Sequence, residues 1–339
     1  MRYFAYFILM FVAATRFDIG ADYENYYHIF ERIADTLQNF EFSWMDLMYE
    51  PATYILTYLF LWTPDPSIWT IGLYSTLSIY FFYKIFDYYN VHTLGIAIYI
   101  ISFAYFQMWD GIRQGLAIAL FIYSLRFVKE EKLGKFLLCI LCATFTHYSA
   151  LLMIIVYPLR NIQIRAQIFG VIVIAFMVIA QTGIFSGLQA LIYSIIPYYA
   201  DTYGGTMYAT QGGSTYSSNI YILTMLCFAL MLFITPREYS FEATLIFIGA
   251  MVYGFSGGNL NIDRIAWYFS AVQTILLALL FRNASLPRHR FIIMSIFILY
   301  LIALNRVYIY AEFRGVTPYE SIFSEEYDVL YFRDRAETF

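Results

Sequence analysis

The chain has 339 residues, of which 61% are hydrophobic and only 13% are charged, and its mean hydropathy is +0.63. A soluble domain usually carries about 25% charged and about 45–50% apolar residues, so most of these side chains need lipid as their solvent. The small net charge of −4 argues against nucleic acid as a partner.

Hydrophobic runs follow one another along the whole chain, and each is predicted to be helical because lipid offers no partner for an open strand edge. The runs are 3–15, 48–62, 68–86, 93–108, 112–127, 133–146, 148–159, 168–185, 219–235, 241–257, 265–281 and 291–305. The expected fold class is an all-α polytopic membrane protein with about 11 transmembrane helices in a single domain, residues 1–339. Run 48–62 is predicted to be a re-entrant segment, because Pro51 cannot continue an interior helical hydrogen bond.

Lysine and arginine in the loops predict the orientation of the chain in the membrane. They concentrate in segments 126–135, 160–165 and 281–290, which are therefore expected on the cytoplasmic side. The segments 186–218 and 306–339 are then expected outside, as a large periplasmic loop and an extracytoplasmic tail. The large loop contains no lysine or arginine and is rich in tyrosine and glycine, which is typical of an interfacial stretch followed by a flexible loop.

Ionisable residues recur where a hydrophobic run meets the predicted outer face. An arginine at a helix end commonly anchors the helix by snorkelling, but several arginines outside run against the positive-inside rule. A guanidinium binds phosphate through two parallel hydrogen bonds, so convergent arginines predict a site for a lipid-linked phosphate or diphosphate. The residues of this set are Arg16, Asp18, Asp22, Glu50, Asp110, Arg113, His147, Asp263, Arg264, Arg306 and Arg314.

The acid–base residues of this set leave two interpretations open. His147 is either a hydrogen-bonded residue at a helix end or a catalytic or phosphate-contacting imidazole. Asp22, Glu50, Asp110 and Asp263 are candidate bases, but carboxylates beside arginines are equally expected as ion-pair partners.

The sequence predicts neither a metal nor a cofactor. Cys139 and Cys142 have the spacing of a CxxC motif, yet they stand inside an apolar run and are predicted to be small hydrophobic residues on one helix face. No HExxH, GxGxxG or phosphate-loop pattern occurs in the chain, so metal and nucleotide chemistry are not expected.

Six short motifs occur in a fixed order along the chain. They are TRFDIGADYENYYHIF at 15–30, MYEPATYIL at 48–56, DGIRQGLA at 110–117, TFTHYSA at 144–150, DRIAWYF at 263–269 and VTPYESIF at 316–323. Together they resemble the EpsG-like family of Wzy-type polysaccharide polymerases. Any one of these motifs would be weak, whereas six in order are fairly specific.

The resemblance implies a glycosyltransferase that needs no metal. It would join oligosaccharide repeat units carried on undecaprenyl diphosphate into O-antigen, capsule or exopolysaccharide at the periplasmic face of the bacterial inner membrane. The implied fold is the GT-C-like architecture of lipid-dependent glycosyltransferases. Implied partners are the lipid-linked oligosaccharide, the bilayer, a chain-length regulator and a flippase.

With this chemistry, the expected catalytic residues are Arg113, Arg264, His147, Asp22 and Glu50, and the expected substrate-binding residues are Arg16, Tyr23, Tyr26, Gln114, Asp263 and Arg306. The arginines would stabilise the leaving diphosphate, and tyrosine rings would stack on sugars. Two rival functions stay open, a flippase or transporter of lipid-linked oligosaccharide and an O-antigen ligase. A non-catalytic assembly partner is a third alternative.

Overall fold

The structure is a computed structural model, and it describes residues 2–40, 42, 49–162, 164–185, 187–189, 219–257, 259–284, 286–304 and 319–324. Every named element within these residues is a helix, and one isolated antiparallel bridge joins Arg16 and Ser321. The expectation of an all-α protein is therefore confirmed for this part of the chain. Nearly all of the predicted loop 186–218, and most of the predicted tail 306–339, lie outside the described residues.

The chain divides into two compact units. The first unit comprises Met1–Tyr157 and Tyr300–Phe339, and the second comprises Pro158–Leu299. This division leaves the expected single membrane domain, residues 1–339, as a prediction.

The described residues of the first unit form eight α-helices before residue 147, followed by a 3-10 helix and one short α-helix. These are α1 (Arg2–Thr15), α2 (Tyr23–Asn39), α3 (Pro51–Tyr58), α4 (Pro66–Tyr89), α5 (His92–Ile101), α6 (Ala104–Asp110), α7 (Ile112–Lys129), α8 (Leu133–Thr146), the 3-10 helix Tyr148–Ile155 and α9 (Val156–Leu159), which ends in the second unit. Helix α4 is central, because α1, α2 and α7 all pack against it.

The ends of α4 follow directly from the sequence. Asp65 caps its first turn by accepting a hydrogen bond from the Ile68 amide at 3.2 Å, and Pro66 occupies the first helical position. Asn90 ends the helix in the left-handed conformation, with φ of 53°. Its 24 residues give a length of about 36 Å, enough for a hydrocarbon core about 30 Å thick.

The second unit contains α10 (Ala166–Ala180), α11 (Asn219–Ile234), the 3-10 turn Arg237–Tyr239, α12 (Ser240–Ser256), α13 (Leu260–Ser270), α14 (Gln273–Asn283) and most of α15 (Pro287–Leu304). Helix α12 packs closely against α13, and a Cβ at Gly249 would come within 2.9 Å of the Phe269 Cβ. Glycine at this position therefore lets the two helices approach each other.

Two of the predicted spans have a different local structure. Run 93–108 is broken where Phe103 takes a φ of 70°, so that α5 ends and α6 begins. Run 148–159 begins as eight residues of 3-10 helix, which is unusually long for this poorer hydrogen-bond geometry. Helix α3 in run 48–62 has only eight residues, about 12 Å, so its re-entrant placement stays a prediction.

The outward faces of several helices are apolar. Helix α1 exposes Phe4, Phe7 and Phe11, and α15 exposes Phe291 and Ile298. Helix α4, by contrast, carries four polar residues that are almost fully buried: Ser67, Thr70, Ser75 and Ser78. Apolar surfaces of this extent are costly in water and favourable in lipid.

Two stretches among the described residues are long and apolar enough to cross a membrane, Arg237–Ser256 and Asn261–Asn283. Six further apolar helices have only 10–17 residues. These lengths do not confirm the expected number of about 11 spans, and that number and the GT-C-like architecture stay predictions.

Candidate active site

Three segments of the first unit converge on the carboxylate of Glu50. Glu50 immediately precedes α3, Arg113 lies in the first turn of α7, and His147 follows the last residue of α8. One carboxylate oxygen accepts a hydrogen bond from Arg113 Nη1, and the other accepts from His147 Nδ1 at 2.8 Å. The Glu50 side chain is only 5% exposed, so both oxygens are committed to these two partners.

The local sequence explains how Glu50 and His147 are presented. A residue before proline is driven out of the helical region, and Glu50 has φ of −64° and ψ of 144° in front of Pro51. Its carbonyl accepts the first hydrogen bond of α3, from the Thr53 amide at 2.9 Å. His147 has an extended backbone with φ of −161°, which separates α8 from the following 3-10 helix. Both side chains are thus held at helix ends.

Aromatic rings enclose the guanidinium of Arg113. Its Cζ lies 5.5 Å from the ring centroid of Tyr26 and 5.5 Å from that of Tyr49. Such cation–π contacts stabilise a charge that has been removed from water. The hydroxyl of Tyr148 donates to the carbonyl of Tyr49 at 3.3 Å, which ties the residue after His147 to the residue before Glu50.

The protonation of this group follows from its contacts. Burial alone would raise the pKa of Glu50, but the hydrogen bond from His147 and the charge of Arg113 outweigh burial and hold the pKa below its ordinary value. An ionised carboxylate only accepts hydrogen bonds, so the proton between the two residues belongs to His147 Nδ1. In the neutral imidazole, Nε2 then carries the lone pair.

Arg16 forms a second buried cluster in the same unit. Its guanidinium is fully buried and donates to the carbonyls of Ala13 and Ile19 and, at 2.7 Å, to the hydroxyl of Ser75. The rings of Tyr23 and Trp109 lie 5.8 Å and 5.3 Å from its Cζ. Through these contacts Arg16 holds the end of α1 and the following loop against α4, which is a structural role. Its contact with substrate stays a prediction.

The loop after α1 is fixed on two sides. The amide of Ala21 donates to Asp110 Oδ1 at 2.9 Å, and Gly20, with φ of +109°, lies so close to Trp109 that a Cβ would be 2.7 Å from its carbonyl oxygen. On its other side, the amide of Phe17 donates to the carbonyl of Glu320 at 3.1 Å. Only glycine combines this φ with so close an approach.

Helix α2 connects the two clusters. Tyr23 and Tyr26 are three residues apart and lie on one face of the helix, with Tyr23 against Arg16 and Tyr26 against Arg113. Asp22 stands directly before α2, where its carbonyl accepts from the Tyr26 amide at 3.0 Å. Gln114 is buried beside Arg113 in α7.

Other expected site residues lie in the second unit or beyond the described part of the chain. Asp263 is buried and accepts a hydrogen bond from the hydroxyl of Ser256, whereas Arg264 is exposed. Both belong to the second unit, so their expected roles beside Arg113 stay predictions. Arg306 and Arg314 lie outside the described residues.

Tyr49, Ser75 and Trp109 were not among the predicted site residues, although all three contact an arginine of the first unit. Tyr49 had a usable signal, because it stands directly before Glu50 in a recognised motif. Ser75 had none, since a serine in a long apolar helix looks like any other small residue. In the described part of the chain, no three His, Cys, Asp or Glu side chains are grouped as metal ligands, and the expected metal independence stays a prediction.

The comparison with known families gives a decisive match. The profile of the EpsG family matches residues 1–321. The chain belongs to the EpsG family. This membership indicates a membrane protein of polysaccharide biosynthesis with a polymerase-type, glycosyltransferase-like function. Neither a curated protein nor a solved structure matches the chain.

The EpsG-family match confirms the resemblance found in the motifs. Five of the six motifs lie in the first unit, and DRIAWYF lies in the second. Three of those five motifs supply Glu50, Arg113 and His147, which are in contact although they are up to 97 residues apart in sequence.

Proposed function

We propose that this protein is a polymerase that joins undecaprenyl-diphosphate-linked oligosaccharide repeat units into O-antigen, capsule or exopolysaccharide at the periplasmic face of the bacterial inner membrane. The observation that carries the proposal is the contact of Glu50 with both Arg113 and His147. A carboxylate, a histidine and an arginine are the groups that glycosyl transfer from a diphosphate needs: an oriented base and a fixed cation.

In the proposed reaction, the growing chain is linked through its anomeric carbon to the lipid diphosphate. A hydroxyl of the incoming unit attacks this carbon, and His147 Nε2 takes the hydroxyl proton. The new glycosidic C–O bond forms while the bond from the anomeric carbon to the diphosphate oxygen breaks. The lipid diphosphate leaves with the bonding electrons.

Glu50 acts in this scheme as a positioning residue. By accepting the Nδ1 proton it fixes the tautomer and ring orientation of His147, and its charge stabilises the imidazolium that forms on proton transfer. The sequence left Asp22 and Glu50 as bases that would accept the proton directly. We prefer His147, because both Glu50 oxygens already accept hydrogen bonds.

Arg113 is the proposed cation for the leaving diphosphate. Only its Nη1 binds Glu50, and its Nε has no hydrogen-bond partner among the described residues. A buried donor without a partner is costly, and an incoming phosphate oxygen would satisfy it. The rings of Tyr26 and Tyr49 beside the guanidinium offer flat apolar faces on which sugar rings can stack.

The first test is deletion of the gene, followed by separation of the surface polysaccharide on a gel. A polymerase defect removes the long ladder and keeps the single-repeat band. Loss of every band, including the single repeat, would favour a flippase. Accumulation of long lipid-linked polymer would favour a ligase, and a normal ladder in a strain without a second polymerase would contradict the proposal.

The second test compares arginine variants in the deletion strain at equal protein level. Arg113→Ala is expected to shorten the ladder to the single repeat, because removal of a fixed cation commonly costs about 10²–10³-fold in rate. Arg264→Ala tests whether the second unit supplies a further cation and is expected to reduce polymer in the same way. Arg165→Ala, an exposed residue before α10, serves as the matched control and should leave the ladder unchanged. Long chains in both Arg113→Ala and Arg264→Ala would exclude the diphosphate assignment.

A further inference from the structure

A cavity in the second unit lies apart from the residues assigned above. It has a volume of about 260 Å³ and is lined by residues at the end of α11, in the 3-10 turn Arg237–Tyr239, at the end of α14 and in the first turns of α15. Ile234, Leu280 and Ile293 form its apolar wall. Its polar lining is Glu238, Tyr239, Asn283 and His289. A cavity that joins an apolar wall to a polar rim suits an amphipathic ligand.

Arginines are held against this rim. Arg290 Nε donates to the carbonyl of Ala284, a lining residue, at 2.9 Å. Arg282 hydrogen-bonds the hydroxyl of Tyr239, and Asn283 Nδ2 donates to the same hydroxyl. Arg237 and Arg288 stand next to lining residues in the sequence and are exposed.

The acidic residues on these elements do not balance the four arginines. Glu238 lines the cavity, and Glu242 is buried four residues further along, in α12. These elements thus carry four arginines and two glutamates. Helix α15 also begins with the sequence PRHR and has no acidic residue in its first turn. A helix N-terminus already carries a partial positive charge, so basic residues there are unfavourable unless an anion is bound.

The outer face of α15 continues from this basic turn as a row of exposed apolar side chains. Phe291, Met294 and Ile298 are three and four residues apart, and their exposed fractions are 74%, 45% and 53%. Such a row gives an acyl chain a surface to lie along, directly beside the arginines. A free phosphate would use the charges but not this row.

We propose that this cavity binds the headgroup of an anionic phospholipid, with the phosphate between Arg282 and Arg290 and an acyl chain along the apolar face of α15. The bound lipid neutralises the basic turn and holds the ends of α11, α14 and α15 together. Basic pockets between helices on the cytoplasmic side are a known form of lipid recognition, and the segment 281–290 is predicted to lie on that side. The proposal does not depend on the polymerase function.

The test uses the full-length protein in nanodiscs, and it measures thermal unfolding and the lipids retained in native mass spectrometry. Phosphatidylglycerol is compared with phosphatidylcholine, and inorganic phosphate is added separately to phosphatidylcholine discs. We expect a higher Tm and retained phosphatidylglycerol in the unchanged protein. The double variant Arg282→Gln/Arg290→Gln should bind phosphatidylglycerol at least about tenfold more weakly, since each arginine near an anionic surface contributes roughly fivefold.

Two further variants keep the test decisive. Lys132→Gln/Lys135→Gln removes two charges from the same predicted face in the first unit and should retain the lipid. Ala284→Phe fills the cavity without changing its charge, and it should abolish retention even where the arginine variant is too unstable to purify. Equal retention by the unchanged protein and Ala284→Phe would overturn the proposal, as would equal losses in the arginine and lysine variants. Protection by inorganic phosphate alone, with none from phosphatidylglycerol, would overturn the lipid assignment.

Discussion

The two units differ in where they place their arginines. In the first unit, Arg16, Glu50 and Arg113 lie inside the helix packing, where they bind one another or backbone carbonyls. In the second unit, arginines such as Arg237, Arg264 and Arg290 are exposed, and the buried ionisable side chains include Glu242 and Asp263. Burial of a charge costs several kcal/mol of desolvation, which is tolerated only where partners offset it. The buried charges of the first unit therefore depend on their partners to offset the free energy of desolvation. We expect substitutions among them to affect catalysis most.

The largest expected effect is that of His147→Ala. Loss of a general base typically costs about 10²–10⁴-fold in rate, so the variant should produce single repeats with little or no ladder. The measurement is polymer length on gels of the complemented deletion strain, at matched protein level. His28→Ala, an exposed histidine of the same unit that pairs with Glu31, is the control and should polymerise normally. Long chains from His147→Ala would exclude His147 as the base.

Glu50→Gln should come next, with polymerisation reduced by about 10²-fold, because a neutral amide no longer fixes the imidazole tautomer. The variant should also change how stability depends on pH. The pKa of Glu50 is lowered in the folded state, so its contribution to stability is present above the ordinary glutamate pKa of about 4.3 and is lost as pH falls through the folded pKa.

The measurement for this pH dependence is thermal unfolding at pH 7 and at a series of values below 4. The Tm difference between the unchanged protein and Glu50→Gln should be constant above about pH 5 and should shrink in acid. Glu24→Gln, which replaces a more exposed carboxylate on α2, is measured in parallel as the control. A Tm difference that grows in acid would contradict the charge assigned to Glu50.

Gly20→Ala should lower stability more than it lowers intrinsic activity. Its φ of +109° is unfavourable for alanine, and the new Cβ would lie 2.7 Å from the Trp109 carbonyl oxygen. The strain should cost at least about 1–3 kcal/mol, seen as a lower Tm and less protein in the membrane. Gly134→Ala is the matched control, because a Cβ at this position in α8 would meet no atom within 4 Å beyond its chain neighbours and the backbone of its own helix, and it should be neutral or slightly stabilising.

The smallest expected effect is that of Asp263→Asn in the second unit. Asparagine keeps the shape and can still accept the hydrogen bond from Ser256, so Tm should change by less than about 2 °C and polymer by less than about threefold. A loss as large as that of His147→Ala would show that the second unit also carries a reacting group. Ser256→Ala is the companion variant, and it separates loss of the hydrogen bond from loss of the charge.

The positions of the helices could be predicted from the sequence, whereas the geometry of the site could be predicted only in part. Helix positions were predictable, because runs such as 68–86 and 133–146 lie within or coincide with α4 and α8. The break at Phe103 was not predictable, because phenylalanine rarely adopts positive φ. Three residues of the site, Glu50, Arg113 and His147, could be selected because each lies in one of the short motifs. In the structure each stands at or next to the end of a helix.

The pairing within the site could not be predicted. Nothing in the spacing of Glu50, Arg113 and His147 along the chain shows that one carboxylate bridges the other two. The structure also separates arginines that look equivalent in sequence. Arg16 binds the carbonyls of Ala13 and Ile19, whereas Arg113 faces a carboxylate and two rings, and both stand equally at the end of a hydrophobic run.

The bridge between Arg16 and Ser321 has a consequence for the order in which the protein is made. Thr15 and Tyr319 are in contact, yet they are 304 residues apart in the chain. At a synthesis rate of about 5–20 residues per second, about 15–60 s pass between the synthesis of the loop after α1 and that of the segment that bridges to it. The contacts of this loop with residues 319–322 therefore form after the buried contacts of Arg16 with Ser75 and Trp109, so a chain already in the membrane completes this part of the fold only once residue 322 has been made.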